Sequence, residues 1–240
     1  MSLGKTDYTR FKNHRIGGTK KTDKIFRPRL GGADSKKFTI RLLPPVFGED
    51  LPLYDTDIHY FEGNKIKVAG VCPRRLGAES CPACHMFFSL RTHFPEKSTE
   101  NNVVRSLRPN TRVYANVVER FPETPEVEKI QVWSMTFSSG EKIQDTLGAL
   151  AEDNVFVDDP EEGRDLVLTF KKQGWGAMLD LITAKPKESS LGIEDPEPIN
   201  LREFAHQKEF TVEEIEELLP KILGEYYPEF VEIMESEESE

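Results

Sequence analysis

All three cysteines of the chain lie between His59 and Cys84, in the stretch HYFEGNKIKVAGVCPRRLGAESCPAC. With the histidine that opens it, the spacing is His-x12-Cys-x8-Cys-x2-Cys. Two thiolates separated by two residues, as Cys81 and Cys84 are, can turn toward one ion. Cys72 and His59 complete a closed tetrahedral set of three sulfurs and one imidazole nitrogen, the ligand chemistry of a structural Zn2+. Soft thiolates argue against Mg2+ and Ca2+, which take oxygen. Four protein donors leave no position open for water, so the expectation is one structural zinc ion. His59 fits the spacing as the nitrogen ligand, and His85 and His93 are the alternatives. The competing chemistry is a thiol-disulfide dithiol at Cys81 and Cys84, which leaves Cys72 and His59 without a role.

Catalytic patterns are thin elsewhere. There is no GxxxxGK[ST] phosphate loop and no GxSxG elbow. The H-x-E of zinc deaminases is replaced by His59-Tyr60-Phe61. The expectation is a binding protein with no enzymatic activity.

Charge is distributed unevenly. The net charge is −10, which by itself disfavours a nucleic-acid ligand. Residues 1–45, however, hold twelve Lys/Arg against three Asp, while residues 186–240 hold four Lys/Arg against seventeen Asp/Glu. Such asymmetry suits a chain that touches polyanions with one end and recruits partners with the other. Binding a single strand without sequence preference needs cations along the phosphates and rings on which bases stack. The middle interleaves both. Arg105, Arg108 and Arg112 run into Tyr114, and Lys171 and Lys172 precede Trp175, which stands between two glycines. Lys65, Lys67, Arg74 and Arg75 are candidates to line the zinc side of the same groove. The residues alone also allow a zinc-stabilised scaffold for protein partners.

The elements that must position these groups read as mainly β. Lys37–Leu43 alternates and stops at Pro44-Pro45. Residues 57–61 and 65–71 form a hairpin around Gly63-Asn64, and 110–121 and 128–137 form another. Residues 164–172 and 177–184 form a third. Short helices are expected at 85–92, from a capping box at Ser138-Ser139-Gly140-Glu141 to about Leu150, and after Thr211-x-x-Glu214, interrupted by Pro220. The expected architecture is an OB-type barrel with an inserted zinc subdomain at about 55–95 and a few short helices. Its parts are a flexible basic arm over 1–36, a core over 37–220 and an acidic tail over 221–240. With 37% apolar residues, no run of 18 apolar residues and no signal-peptide core, a cytoplasmic protein is expected, with no membrane partner.

IRLLP at Ile40–Pro44, the zinc pattern, YANVV at Tyr114–Val118, GEKI at Gly140 and the Leu166–Trp175 strand and turn carry a resemblance. The chain resembles the gene-32 family, the single-stranded DNA-binding proteins of T-even-like bacteriophages, over roughly residues 37–220. The resemblance implies an OB fold with a zinc subdomain, and His59, Cys72, Cys81 and Cys84 match the family's zinc ligands. It implies single-stranded DNA in the cleft between the two parts, near Tyr114, Trp175, Arg108 and Arg112. It further implies roles in phage replication, recombination and repair. Neighbours would self-associate through the N-terminal arm, and an acidic tail would recruit replication proteins and compete with DNA. Deleting residues 225–240 should then strengthen binding. Lys20-Lys21-Thr22 is only a partial echo of the family's basic N-terminal run, and the tail is shorter.

Overall fold

The computed structural model describes residues 24–45, 50–63, 66–121, 128–174, 176–193 and 196–237. Eight strands form one sheet: β1 (Ile25–Phe26), β2 (Ser35–Leu42), β3 (Tyr54–Gly63), β4 (Ile66–Val71), β5 (Asn110–Glu119), β6 (Ile130–Thr136), β7 (Arg164–Gln173) and β8 (Gly176–Glu188). The helices are α1 (Pro82–Leu90), α2 (Thr99–Ser106), α3 (Phe137–Glu152), α4 (Leu201–Ala205), α5 (Val212–Leu223) and α6 (Tyr226–Glu237), with a 3-10 turn at Pro73–Leu76. The sheet order is β1-β6-β5-β2-β7-β8, and β3 joins β5 and carries β4 outward. Strand β5 is long enough to pair with β6 along one edge and to divide the other between β3 at Asn110–Tyr114 and β2 at Val117–Glu119.

Hydrogen bonding among the described residues does not close this sheet into a barrel. Side chains bring its parts together instead. Phe26 on β1 meets Trp133 at 5.6 Å and Phe38 at 5.9 Å, and Phe38 meets Phe170 at 5.7 Å, all edge to face. The sheet therefore curls around an aromatic core that also holds Ile40, Val113, Val117, Leu168 and Ile143 of α3. Helix α3 approaches so closely that a Cβ on Gly140 would meet Val113 Cγ2 at 2.5 Å. The missing side chain at Gly140 is what lets the helix lie this close to β5. Its N-cap is Thr136, and no side-chain cap forms, so the expected box at Ser138–Glu141 is not used.

A second core of similar extent lies around the cysteines, and it differs from a short insertion. Phe61, Met86, Phe87, Leu90, Val104 and Leu107 pack with Phe210, Ile215, Leu219, Leu223 and Phe230 from the chain's end. The module is thus discontinuous in sequence. The Thr211–Glu214 capping box forms as expected. Pro220 does not end α5; Leu219 and Leu223, both buried, hold the helix through the exposed proline.

Two boundaries of the expected organisation move. The arm ends earlier than residue 36: β1 pairs in parallel with β6, and Phe26 is 2% exposed. The earlier residues of the arm lie outside the described ones. At the other end, residues 221–223 and 226–237 are helical, with a turn between, and not a loose tail. Phe230 is 0% exposed and packs on Phe94 and Tyr226. Deleting residues 225–240 therefore removes packing as well as charge. The expected outcome is a loss of about 3–5 kcal/mol, the scale for removing a buried aromatic, read as a lower thermal midpoint.

The face of β2 away from the aromatic core carries Arg41, which is 0% exposed. It donates to Asp165 Oδ1 (3.1 Å), to the Asp159 carbonyl (3.0 Å) and to Ser189. Arg120 donates to the same Asp165 oxygen (3.1 Å) and to Glu128 (2.7 Å). Burial pushes the Asp165 carboxyl up, but Arg120 and Arg41 outweigh it and hold the group below its usual range. Replacing Asp165 with Ala leaves the buried Arg41 guanidinium without a carboxylate and Arg120 with Glu128 alone, and a cost of about 3–5 kcal/mol is expected in a denaturant melt. The folded pKa is depressed, so the native contribution is complete above the unfolded value of about 3.9. It is lost as pH falls through the lower folded value.

Candidate functional site

His59 sits on β3, stacked on Phe61 at 5.2 Å. Its Nδ1–H donates to the Leu107 carbonyl at 3.0 Å, which fixes the tautomer and leaves the Nε2 lone pair facing the sulfurs. Cys81 Sγ lies 3.3 Å and Cys84 Sγ 3.5 Å from Nε2, and Cys72 Sγ lies 3.6 Å from Cys84 Sγ. Cys72 follows β4 and donates its backbone N–H to Asp57. Cys81 is the N-cap of α1 and Cys84 lies in its first turn, where the helix dipole favours thiolates. All four donor atoms fall within 4.8 Å of one another, and all four residues are buried.

The cluster could hold a metal ion. The sulfurs compete for protons. Hydrogen bonds from Cys72 and Cys84 pull Cys81 down, while the same neighbourhood, Cys72 first, pushes Cys84 upward. Three thiolates this close cannot all be anionic unless a cation sits between them. His85 and His93 lie on exposed positions and do not enter the cluster, whose histidine is His59. Arg75, in the turn after Cys72, donates to Asp57 (2.8 Å) and Asp55 (2.9 Å). Its charge is answered within the module.

Beside this cluster, a cleft of about 1130 Å³ opens between β1, the β3–β4–β5 arm and α4. Its walls carry five cations, Lys24, Arg27, Lys67, Arg112 and Lys208, against one carboxylate, Glu203. For a chain of net charge −10, that is a strong local reversal. Four aromatic residues, Phe26, Tyr60, Tyr114 and Phe204, join them, with Ser134, Asn200 and Gln207 between.

Strand alternation explains the wall. Val113, Ala115 and Val117 enter the aromatic core, so Arg112, Tyr114 and Asn116 point to the other face. Tyr114 is 5% exposed, edge to face with Phe204 at 6.0 Å. Burial pushes its phenol up to about 12, with Tyr60 adding to the effect. Tyr60 is 40% exposed and is the more accessible ring. Arg112 has its Nε buried with no hydrogen-bond partner among the described residues.

Of the residues singled out in the sequence, Lys67, Arg112 and Tyr114 line the cleft. Arg105 and Arg108 are exposed on and after α2. Lys171 and Lys172 are exposed at the far end of β7, where Lys171 pairs with Asp180 at 2.9 Å. Arg74 is exposed on the turn after Cys72. None of these five lines the cleft. Trp175 and Lys65 lie outside the described residues. Sequence reasoning passed over Lys24, Arg27, Tyr60, Phe204 and Lys208. Lys24 and Arg27 had been counted to the arm, and the last two lie in a segment read only as acidic.

A mainly β protein with a buried Cys3His cluster beside a cationic, aromatic cleft is a protein arranged to hold an anion of some length. The model of the family described as gp32 DNA binding protein like matches residues 34–223, and the chain belongs to that family. No curated protein matches the chain. Strand β1 and helix α6 lie outside the matched span. Among the described residues, no helix is long and apolar enough to cross a membrane.

Proposed function

We propose that the chain binds single-stranded DNA without sequence preference, in the cleft between β1, the β3–β4–β5 arm and α4. The observation that carries this reading is Arg112, which lines a cleft of cations and rings and whose buried Nε has no partner among the described residues. A buried unsatisfied donor costs about 1–3 kcal/mol, which a phosphate or base oxygen would relieve. Lys24, Arg27, Lys67 and Lys208 would follow the backbone, and Tyr60, Tyr114 and Phe204 would meet bases. A longer strand would extend toward Arg74, Arg105, Arg108, Lys171 and Lys172, with Lys65 and Trp175 as further contacts. Arg75, paired with two aspartates, is the weakest candidate.

For the cluster we propose one Zn2+. A tetrahedron with Zn–S of about 2.3 Å and Zn–N of about 2.0 Å has edges of roughly 3.5–3.8 Å. Three of the six separations, at 3.3–3.6 Å, are close to that, and all six fall within 4.8 Å. When bound, the ion would supply a cross-link joining β3, β4 and α1, with all positions taken by protein. The strand-binding role belongs to DNA replication, recombination and repair in a phage-infected host cytoplasm. The exposed glutamates of α5 and α6 would present a fixed acidic surface to replication and recombination proteins, and neighbours on one strand would associate through the N-terminal arm.

The test is a titration of dye-labelled oligo-dT with full-length protein at several salt concentrations. With four or five phosphates neutralised, log K is expected to fall by about 3 per decade of salt, at about 0.7 per phosphate. Absence of affinity at every salt concentration would leave the scaffold reading in place.

A further inference from the structure

The cleft wall opposite β5 is α4, a helix of five residues. So short a helix has no stability of its own, so its position is set by what holds its ends. At the N-terminal end the buried amide of Asn116 accepts from the Ile199 N–H (3.1 Å) and donates to the Ile199 carbonyl (2.8 Å). At the C-terminal end stands His206, whose side chain is 7% exposed and whose backbone N–H closes α4 on Arg202 at 2.8 Å. His206 Nδ1 lies 2.7 Å from Glu209 Oε1, and Nε2 lies 2.6 Å from Tyr54 Oη on β3. A carboxylate only accepts, so Nδ1–H donates to Glu209. In the neutral ring Nε2 then accepts from the Tyr54 hydroxyl. Glu209 is itself bridged to Val71 at the end of β4, with Val71 N–H donating to Lys208 and Phe210 N–H to Val71.

Resting on the single-strand reading above, we infer that His206 is a positioning residue of the cleft: it ties the end of α4 to β3 and β4, and so holds Phe204 against Tyr114. His206 is not among the residues lining the cleft. Its effect on binding passes through Phe204, two residues earlier, which is. The chain from Ile199 to Glu209 is pinned at both ends by side-chain hydrogen bonds, and the aromatic ring between them is presented to the strand. Loss of either ring contact of His206 lets that wall drift.

The test is a double-mutant cycle in oligo-dT affinity on the full chain: wild type, His206→Ala, Phe204→Ala and the double variant, with Tyr54→Phe and His206→Gln alongside. His206→Ala is expected to weaken binding about tenfold, the scale of one or two lost hydrogen bonds. In the Phe204→Ala background the same change is expected to have almost no effect, because residues acting through one another do not add. His206→Gln, whose amide oxygen can still accept from Tyr54, should recover part of the loss. Tyr54→Phe, which keeps the ring in place, should reproduce it in part. If wild type binds and Phe204→Ala weakens it, but His206→Ala binds as wild type or its effect adds fully, the positioning role is overturned and the binding reading stands. If wild type binds no oligo-dT, both fall.

Discussion

Chelating the zinc proposed for His59, Cys72, Cys81 and Cys84 is expected to unfold the half of the molecule built around them. Apparent binding free energies of structural zinc are about 10–16 kcal/mol, comparable to the whole stability of a domain at about 5–15 kcal/mol. Without a cation, three sulfurs that lie within 4.8 Å of one another and of His59 share a few protons in a buried site. The damage would spread beyond the ligands. Phe61, Phe87 and Leu90 share their core with Ile215, Leu219 and Phe230, so α1, α2, α5 and α6 stand or fall together. The measurement is helical circular dichroism during titration with a strong chelator, with released zinc counted on the same sample. One zinc per chain and a large loss of helix signal are expected. A chelated protein that keeps its helices and its melting temperature would show that packing alone holds the module.

Replacing Arg112 with Ala is expected to weaken oligo-dT binding by about 1.5–3 kcal/mol, the scale of a hydrogen bond to a charged group, or roughly 10- to 150-fold. The accompanying change in stability separates this from a folding defect. Most substitutions of a half-buried residue destabilise, but here the variant removes a buried donor that has no partner among the described residues. The melting temperature should therefore hold steady or rise. Affinity would be followed by fluorescence anisotropy and stability by a thermal melt of the same preparation. Lys172→Ala, distant from the cleft by strand position, should cost less. Undiminished affinity in Arg112→Ala would move the strand out of this cleft.

Much of this arrangement is legible without coordinates because it is local. Cys81 and Cys84 are two residues apart, and thiolate softness names the metal class whatever the fold. Alternation in KFTIRLL and NTRVYANVV marks strands, and Thr211–Glu214 marks a helix start, because hydrogen bonds three residues apart do not depend on distant contacts. Even α6 had its signal: Tyr226, Phe230 and Met234 recur at helical spacing. The glutamates between them obscured it, since composition averages over faces while a helix separates them.

The candidate metal-binding quartet, most strands and the charge asymmetry were thus readable from the residues alone. The tertiary structure alone decided which charges and rings share a cleft. Alternation says that Arg112 and Tyr114 lie on the face opposite Val113, but not what covers that face. The cover proved to be Phe204, some ninety residues on, with Lys24 and Arg27 approaching from either end of β1 and Lys208 from the segment bridged to the end of β4. Polar and aromatic side chains carry no periodic signature of their destination. Their convergence is set by strand register and by short segments such as α4, which have no structure until the rest of the chain holds both ends.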